Sequence, residues 1–290
     1  MNIYIRSAAS ISPRYDAGEP DYKNLIDARA LRRMSRIIRM GVAAAGDCLR
    51  AAGVKVPDAI VTGTAYGCLE DTGVFLTSLV EREEQGLQPA TFIQSTHNTV
   101  GAQIALILQC TGYNNTFVHR GFSFESALLD ALLLLQEGDL ATVLVGAVDE
   151  ITAISAAILG RFGLYRHVEA GEGAAFFLLA SVPGDNDLAR LEGMTTFYEP
   201  ADEKEKERLI LGFLAEQGVD AGSVDLVIGD TVFADKPSLG YKELCGEYPT
   251  STGFALWLAA HKLRSGGHRR ILIYNDYLGM HHSLFLLSAI

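Results

Sequence analysis

The chain has 290 residues, of which 49% are hydrophobic and 20% charged, and its formal net charge is −11. That length suffices for one large domain or two fused lobes around a sizeable core. The acidic balance sets aside a nucleic-acid binder, which needs a basic face, and no apolar run reaches the ~20 residues that cross a bilayer.

The opening MNIYIRSAASIS lacks the uninterrupted apolar core of a secretory signal, so a cytoplasmic location is expected. A first helix is expected over Arg29–Ala52. Its basic cluster, ARALRRMSRIIRM (28–40), spaces Leu31, Met34, Ile37 and Ile38 as a buried stripe, with the arginines in water. PDAIVTGT (57–64) then reads as a strand leaving through Gly and Thr. Further on, the extended NNTFVH runs straight into the helical SFESALLDALLLLQ, so FVHRGFSFES (117–126) forms a strand-to-helix elbow. Unpaired N–H groups and the helix dipole converge at such a place, which favours an anion or an activated nucleophile. The residue at the turn is Gly121, which has no side chain to react. The helix beginning near Phe124 is apolar almost all round and belongs in a buried middle layer.

After a Pro-, Gly- and acid-rich segment (181–205) and a helix near Glu203–Gln217, the pattern repeats. VDLVIGDT (224–231) matches PDAIVTGT. FALWLAAHKLRSGGHRRILIYNDYLG (254–279) matches FESALLDALLLLQEGDLATVLVGAVDE (124–150). Runs such as TVLVGAV and RILIYN lack alternation, which indicates strands covered on both faces. The expected fold is therefore α/β, with two similar halves in a five-layered α-β-α-β-α body. The halves are assigned to residues 1–183 and a shortened 206–290, joined by a connector at 184–205.

Cys48, Cys68, Cys110 and Cys245 show no C-x-x-C spacing and read as buried free thiols. His281 and His282 would point to opposite faces of a strand, a poor chelate, so no metal site is expected. No cofactor is expected either, because Gly171 and Gly173 do not extend into a G-x-G-x-x-G.

Several stretches together resemble the beta-ketoacyl synthases, the condensing enzymes with a thiolase-like fold. They are RMSRIIRMGVAAAGDCL (33–49), VTGTAYGCLEDT (61–72), PATFIQSTHNTVGAQIALILQCTG (89–112), LVGAVDE, GEGAAFFLLAS (171–181) and KELCGEYPTSTGFALWLAA (242–260). In that family a nucleophilic cysteine occupies the elbow, and two histidines hold the thioester oxygen and assist decarboxylation. The resemblance puts Gly121 at the cysteine, Asp230 and Glu247 at the histidines, and Lys242 at a matching lysine. Glycine cannot form a thioester, and carboxylates repel a malonyl carboxylate and a developing oxyanion. The family's terminal Gly-rich loop is reduced to YNDYLGMHHS (274–283), and the region 150–172 is compressed.

The resemblance implies a dimer with the strand Asn115, Thr116, Phe117, Val118 and His119 at its interface. It also implies a vestigial pocket at His97, Asn98, Phe122, Ser123, Phe124 and Lys242, with the phenylalanines as its walls. Three readings follow. The first is a non-catalytic partner, like the chain-length factors that pair with active ketosynthases in fatty-acid-like or polyketide-like pathways. The second is an acyltransferase-type enzyme with an unusual nucleophile, such as Ser123 with His119 as base, although Ser123 also suits a helix cap. The third is a homodimeric scaffold that holds acyl groups or an acyl carrier protein. Arg32, Arg33, Arg36 and Arg39 form a weak docking patch for such a carrier against the repulsion of the net charge.

Overall fold

The computed structural model describes residues 3–166, 168–200, 202–230, 233 and 236–290; Thr231, in the second strand motif, lies outside them. The first half runs β1 (Ile3–Ile11), α1 (Ala28–Leu31), α2 (Arg36–Ala52), β2 (Ala59–Gly63), α3 (Leu69–Glu81), α4 (Pro89–Gln94) and α5 (Thr99–Leu108). It continues with β3 (Tyr113–Phe117), α6 (Ser123–Glu137), β4 (Thr142–Asp149), α7 (Ala153–Arg161) and β5 (Gly173–Ala180). The second half is β6 (Ala189–Tyr198), α8 (Glu203–Glu216), β7 (Leu226–Gly229), β8 (Ser238–Leu239), α9 (Lys242–Cys245), α10 (Thr252–Arg264), β9 (Arg270–Tyr277) and β10 (His281–Ser288).

The strands lie in the order β3-β2-β4-β5-β1-β6-β10-β9-β7-β8. The β1–β6 seam pairs only Ile3, Tyr4 and Ile5 with Leu191, Arg190 and Ala189. Cut there, the two halves have the same topology. β2 is parallel to β3 and β4, as β7 is to β8 and β9, and the remaining pairs are antiparallel. The repeats expected from sequence thus become β2 with β7, and α6–β4 with α10–β9.

The unalternating strands bury both faces, and that makes the layers. In β2, Val61 faces a central core with Ala127, Leu128 and Ala131 of α6, while Ile60 faces an outer core with Ile37 and Ile38 of α2 and Ile104 of α5. In β9, Ile271 and Ile273 join the central core, while Leu272 packs outward on Ile210 and Leu214 of α8. Helices α6 and α10 therefore lie between the two half-sheets, with α2 and α5 outside one and α8 outside the other.

Four expectations need correction. The first helix is split: Asp27 accepts from Arg29 N–H and Ala30 N–H to cap α1, and α2 restarts after an extended Ser35. The segment 184–205 contains β6, a strand at the middle of the sheet, whose Arg190 and Glu192 pair with each other on a half-buried face. Helix α6 is not buried all round, because Leu129 and Leu133 stay 49% and 48% exposed. The strand before the elbow is Tyr113–Phe117, so Val118 and His119 lie beyond it.

Candidate functional site

Strand β3 is an edge strand whose partner among the described residues is β2. It delivers the chain to the elbow, where Arg120 takes a left-handed φ of 49° and starts the bend. Gly121 is buried and its own φ lies outside the left-handed range, so the backbone does not require glycine there. Space does. A Cβ on Gly121 would stand 2.5 Å from Tyr277 Cδ1, 2.9 Å from His281 Cγ and 3.0 Å from His281 Cβ. The place where a nucleophile would project is filled by two side chains from the tip of the β9–β10 hairpin.

That tip is tight. Tyr277 and His281 face each other across the hairpin. Leu278 and Gly279 have φ of 61° and 69°, and Met280 N–H donates to the Tyr277 carbonyl at 3.3 Å, a type I′ arrangement. Asp276 Oδ1 accepts from Gly279 N–H at 2.7 Å. Phe122 packs on the His281 ring (centroids 4.7 Å apart) and so reinforces the closure. Phe124 does not wall a pocket. It points into the central core against Phe177 and Phe285, at 5.8 and 6.2 Å, because it lies on the buried face of α6.

Ser123 closes the elbow turn. Its Oγ accepts from His119 N–H and donates to the Arg120 carbonyl, both at 2.8 Å. It is the first residue of α6 and so reaches backward, where an N-cap would bond forward into the helix. The His119 ring goes to Ser126 instead, with Nδ1 to Oγ at 3.1 Å, so the His119–Ser123 pair considered as base and nucleophile is not formed. Nor do the thiols offer a substitute. Cys48, Cys68 and Cys245 are buried and Cys110 half-buried. Burial pushes Cys48 up to about 12, and Cys68 and Cys245 higher still.

The other two family positions lie near the same hairpin. Glu247 is 5% exposed. Its Oε2 accepts from Lys242 Nζ at 2.6 Å, and Lys242 also donates to the Asp276 carbonyl. Glu247 Oε1 is buried without a hydrogen-bond partner among the described residues. Burial holds this carboxyl above its ordinary range; Lys242 opposes the shift, and Asp230 and Asp276 add to it. Asp230 sits at the exposed end of β7, lining a polar cavity of about 350 Å³ with Arg14, Tyr241, Lys242 and Tyr274. Tyr277 thus lies against Gly121 and within electrostatic reach of Glu247, while Asp230 faces Tyr274 on the other side of the Glu247 carboxyl.

A family model, beta-ketoacyl synthase N-terminal domain, matches residues 7–154, just over half of the chain. The chain belongs to the beta-ketoacyl synthase family. Solved ketosynthase structures share its thiolase-like fold. A type II polyketide acyl-carrier protein in complex with its hexaketide-bound ketosynthase gives TM-score 0.79 at 18% identity, covering 100% of this chain and 99% of that one. The ishigamide ketosynthase/chain length factor gives 0.81 at 17%, covering 100% of both. A beta-ketoacyl synthase from Burkholderia phymatum STM815 gives 0.77 at 13%, covering 100% and 99%. No curated protein sequence matches the chain.

His97 and Asn98 are exposed at the start of α5, where Thr96 and Thr99 make the local hydrogen bonds; Gly67 packs on His97. Of the basic patch, Arg36 is engaged by Glu19 and Glu172, and Arg39 by the Met34 carbonyl, which leaves Arg32 and Arg33 exposed. The residues that sequence reading missed are Tyr277 and His281 at the plug, and two buried carboxylates. Asp149 accepts from Thr64, Thr250 and the N–H groups of Ala65 and Tyr66, tying the end of β4 to the exit of β2 and to the segment before α10. Glu125 Oε1 accepts from Thr252 and Ser283, each at 2.8 Å, tying α6 to α10 and β10. Burial raises Asp149 to about 6 and Glu125 to about 7. A groove of about 500 Å³, lined mainly by Leu69, Val74, Leu76, Ile154 and Ile158, runs between α3 and α7, with Tyr66 among its walls.

Proposed function

We propose that this chain is a non-catalytic partner subunit, of the chain-length-factor kind, for an active ketosynthase in fatty-acid-type or polyketide-type biosynthesis. The observation that carries the proposal is the filled elbow. Condensation needs a thiol at the turn and room beside it for an acyl group; here even a methyl on Gly121 would overlap Tyr277. The acidic groups at Asp230 and Glu247 oppose a malonyl carboxylate and a developing oxyanion, where the family's histidines would donate. Loss of thiol and imidazoles together removes both the covalent step and the decarboxylation.

A surface suited to association lies beside the filled elbow. The outer edge of β3 has no strand on it among the described residues. Tyr113, Val118, Leu129 and Leu133 are large apolar side chains left exposed on β3, the elbow and α6. An open strand edge beside exposed apolar groups favours an added chain. The ketosynthase/chain length factor among the similar structures supports this reading. Co-expression with an intact beta-ketoacyl synthase of the same genome, followed by native mass spectrometry, tests it. A one-to-one complex is expected. A homodimer that ignores the synthase would overturn the partner role and favour a scaffold holding acyl groups or carrier protein.

A further inference from the structure

A second apolar groove, of about 500 Å³, lies on the outer face of the first half and shares no residue with the elbow, its plug or the groove between α3 and α7. Its floor is one face of α2, where Val42, Ala45, Gly46 and Leu49 recur at helical spacing and Gly53 follows at the end of the helix. Ile104, Ile107 and Leu108 of α5, with Leu25, Ile26 and Ala30 of the preceding segment, complete the walls. Ile107 stays 44% exposed, so the groove opens to solvent.

The shape limits the occupant. At the helical rise the floor from Val42 to Gly53 is ~16 Å long, which an alkyl chain of about twelve carbons spans when extended. The volume falls in the range of small-molecule pockets, and a helix ~10 Å across would not fit it.

The charges limit it further. The charged residues at the margin are Asp27, Arg50 and Lys55. Asp27 is turned to α1, where it accepts from Arg29 N–H and Ala30 N–H. Arg50 lies back over Gly46, its Nη1 3.2 Å from where a Cβ on that glycine would stand, and pairs with Asp47. Lys55 is exposed and has no ion pair or hydrogen bond among the described residues. Neither cation closes the helix, because its backbone does so: Gly53 N–H donates to the Arg50 carbonyl and Val54 N–H to the Leu49 carbonyl, each at 3.1 Å. An ammonium without an anion thus stands at the end of an apolar channel, in a chain whose net charge is −11.

We propose that this groove binds a fatty carboxylate of about twelve carbons, with the alkyl chain along α2 and the carboxylate at Lys55, flanked by Arg50. Burial of the chain supplies the affinity and the ion pair sets its direction. The inference does not rest on the partner role.

Titration of the full-length chain with sodium dodecanoate below its micellar range, followed by methyl NMR, tests the site. Saturable shifts are expected at Val42, Ala45, Leu49 and Ile104. Gly46→Leu puts a side chain into the channel where the one close neighbour is the flexible end of Arg50, so the fold is retained; binding should weaken at least ~10-fold, with buried methylenes displaced. Lys55→Gln should weaken dodecanoate by at most about fivefold, as an exposed ion pair allows, and leave dodecanol unchanged. An unaltered spectrum, shifts confined to Ile154 and Ile158 between α3 and α7, or full-strength binding to Gly46→Leu would overturn the site. Equal loss of dodecanoate and dodecanol in Lys55→Gln would overturn the place given to the carboxylate. No ketosynthase is present in the titration, so either result leaves the partner role to be judged separately.

Discussion

Replacing Gly121 with alanine tests whether the elbow is filled or merely empty. The φ of Gly121 suits any residue, so at an open helix start Gly→Ala would stabilise by about 0.4–1 kcal/mol through the unfolded chain. Here the new Cβ lies 2.5 Å from Tyr277 Cδ1 and 2.9 Å from His281 Cγ, against the ~3.5–4.0 Å of a comfortable carbon contact. Tyr277 is 5% exposed and so cannot simply swing into solvent. Overpacking of this kind costs about 1–3 kcal/mol, and the balance is a net loss of roughly 1–2 kcal/mol. Urea denaturation of Gly121→Ala, Tyr277→Ala and the double variant separates the terms. Tyr277→Ala alone is destabilising, but it removes the ring atom that the introduced methyl strikes. The coupling in the cycle should therefore be about 1–3 kcal/mol, in the direction of relief. If Gly121→Ala is neutral or stabilising, or costs the same with and without Tyr277, the elbow is not plugged.

Three other outcomes follow from the same geometry. Glu125 has a folded pKa raised from 4.5 to about 7, so the native state binds the extra proton and loses stability as pH rises between those values. Glu125→Gln should flatten this part of the profile by on the order of 3 kcal/mol, seen as a wild-type minus variant difference in urea midpoints across pH; equal slopes would contradict it. Lys242→Met leaves Glu247 buried without its partner and should cost about 3–5 kcal/mol. Most of that loss should return in Lys242→Met/Glu247→Leu, as thermal denaturation would show; a double variant as unstable as the single would refute the pairing. Leu129→Asp and Leu133→Asp change exposed side chains and should leave the lone chain within about 0.5 kcal/mol of wild type. They should weaken the complex with a ketosynthase at least ~10-fold (about 1.4 kcal/mol) in titrations followed by native mass spectrometry, and unchanged binding would remove this face from the interface.

The duplicated architecture was legible because it rests on local, repeated pattern. Strand exits at Gly63 and Gly229 and the two apolar helices α6 and α10 occur in matching places, and the consecutive apolar runs of β4 and β9 demand cover on both faces. Strand β6 was not legible: Arg190, Glu192 and the threonines at 195 and 196 give it a polar look, and its position depends on pairing with β1 and β10 from opposite ends of the chain. That the elbow carries a glycine and the KELCGEY stretch a glutamate could be read from the residues alone. The plug could not. Tyr277 and His281 reach Gly121 only through the fold, and the adjacent histidines had value in sequence only as a poor chelate. Their opposite facing is right, since His281 meets the elbow while His282 stacks on Phe197 at 5.0 Å. Likewise, Glu125 and Asp149 look like ordinary charged residues until helix and sheet packing take them out of water.

Intact-protein mass spectrometry after incubation with acyl- and malonyl-loaded carrier protein tests the central claim most directly. With Gly121 at the elbow and its free space taken by Tyr277 and His281, the purified chain should keep its unmodified mass and form no condensation product. Rapid acylation at any residue would contradict the account.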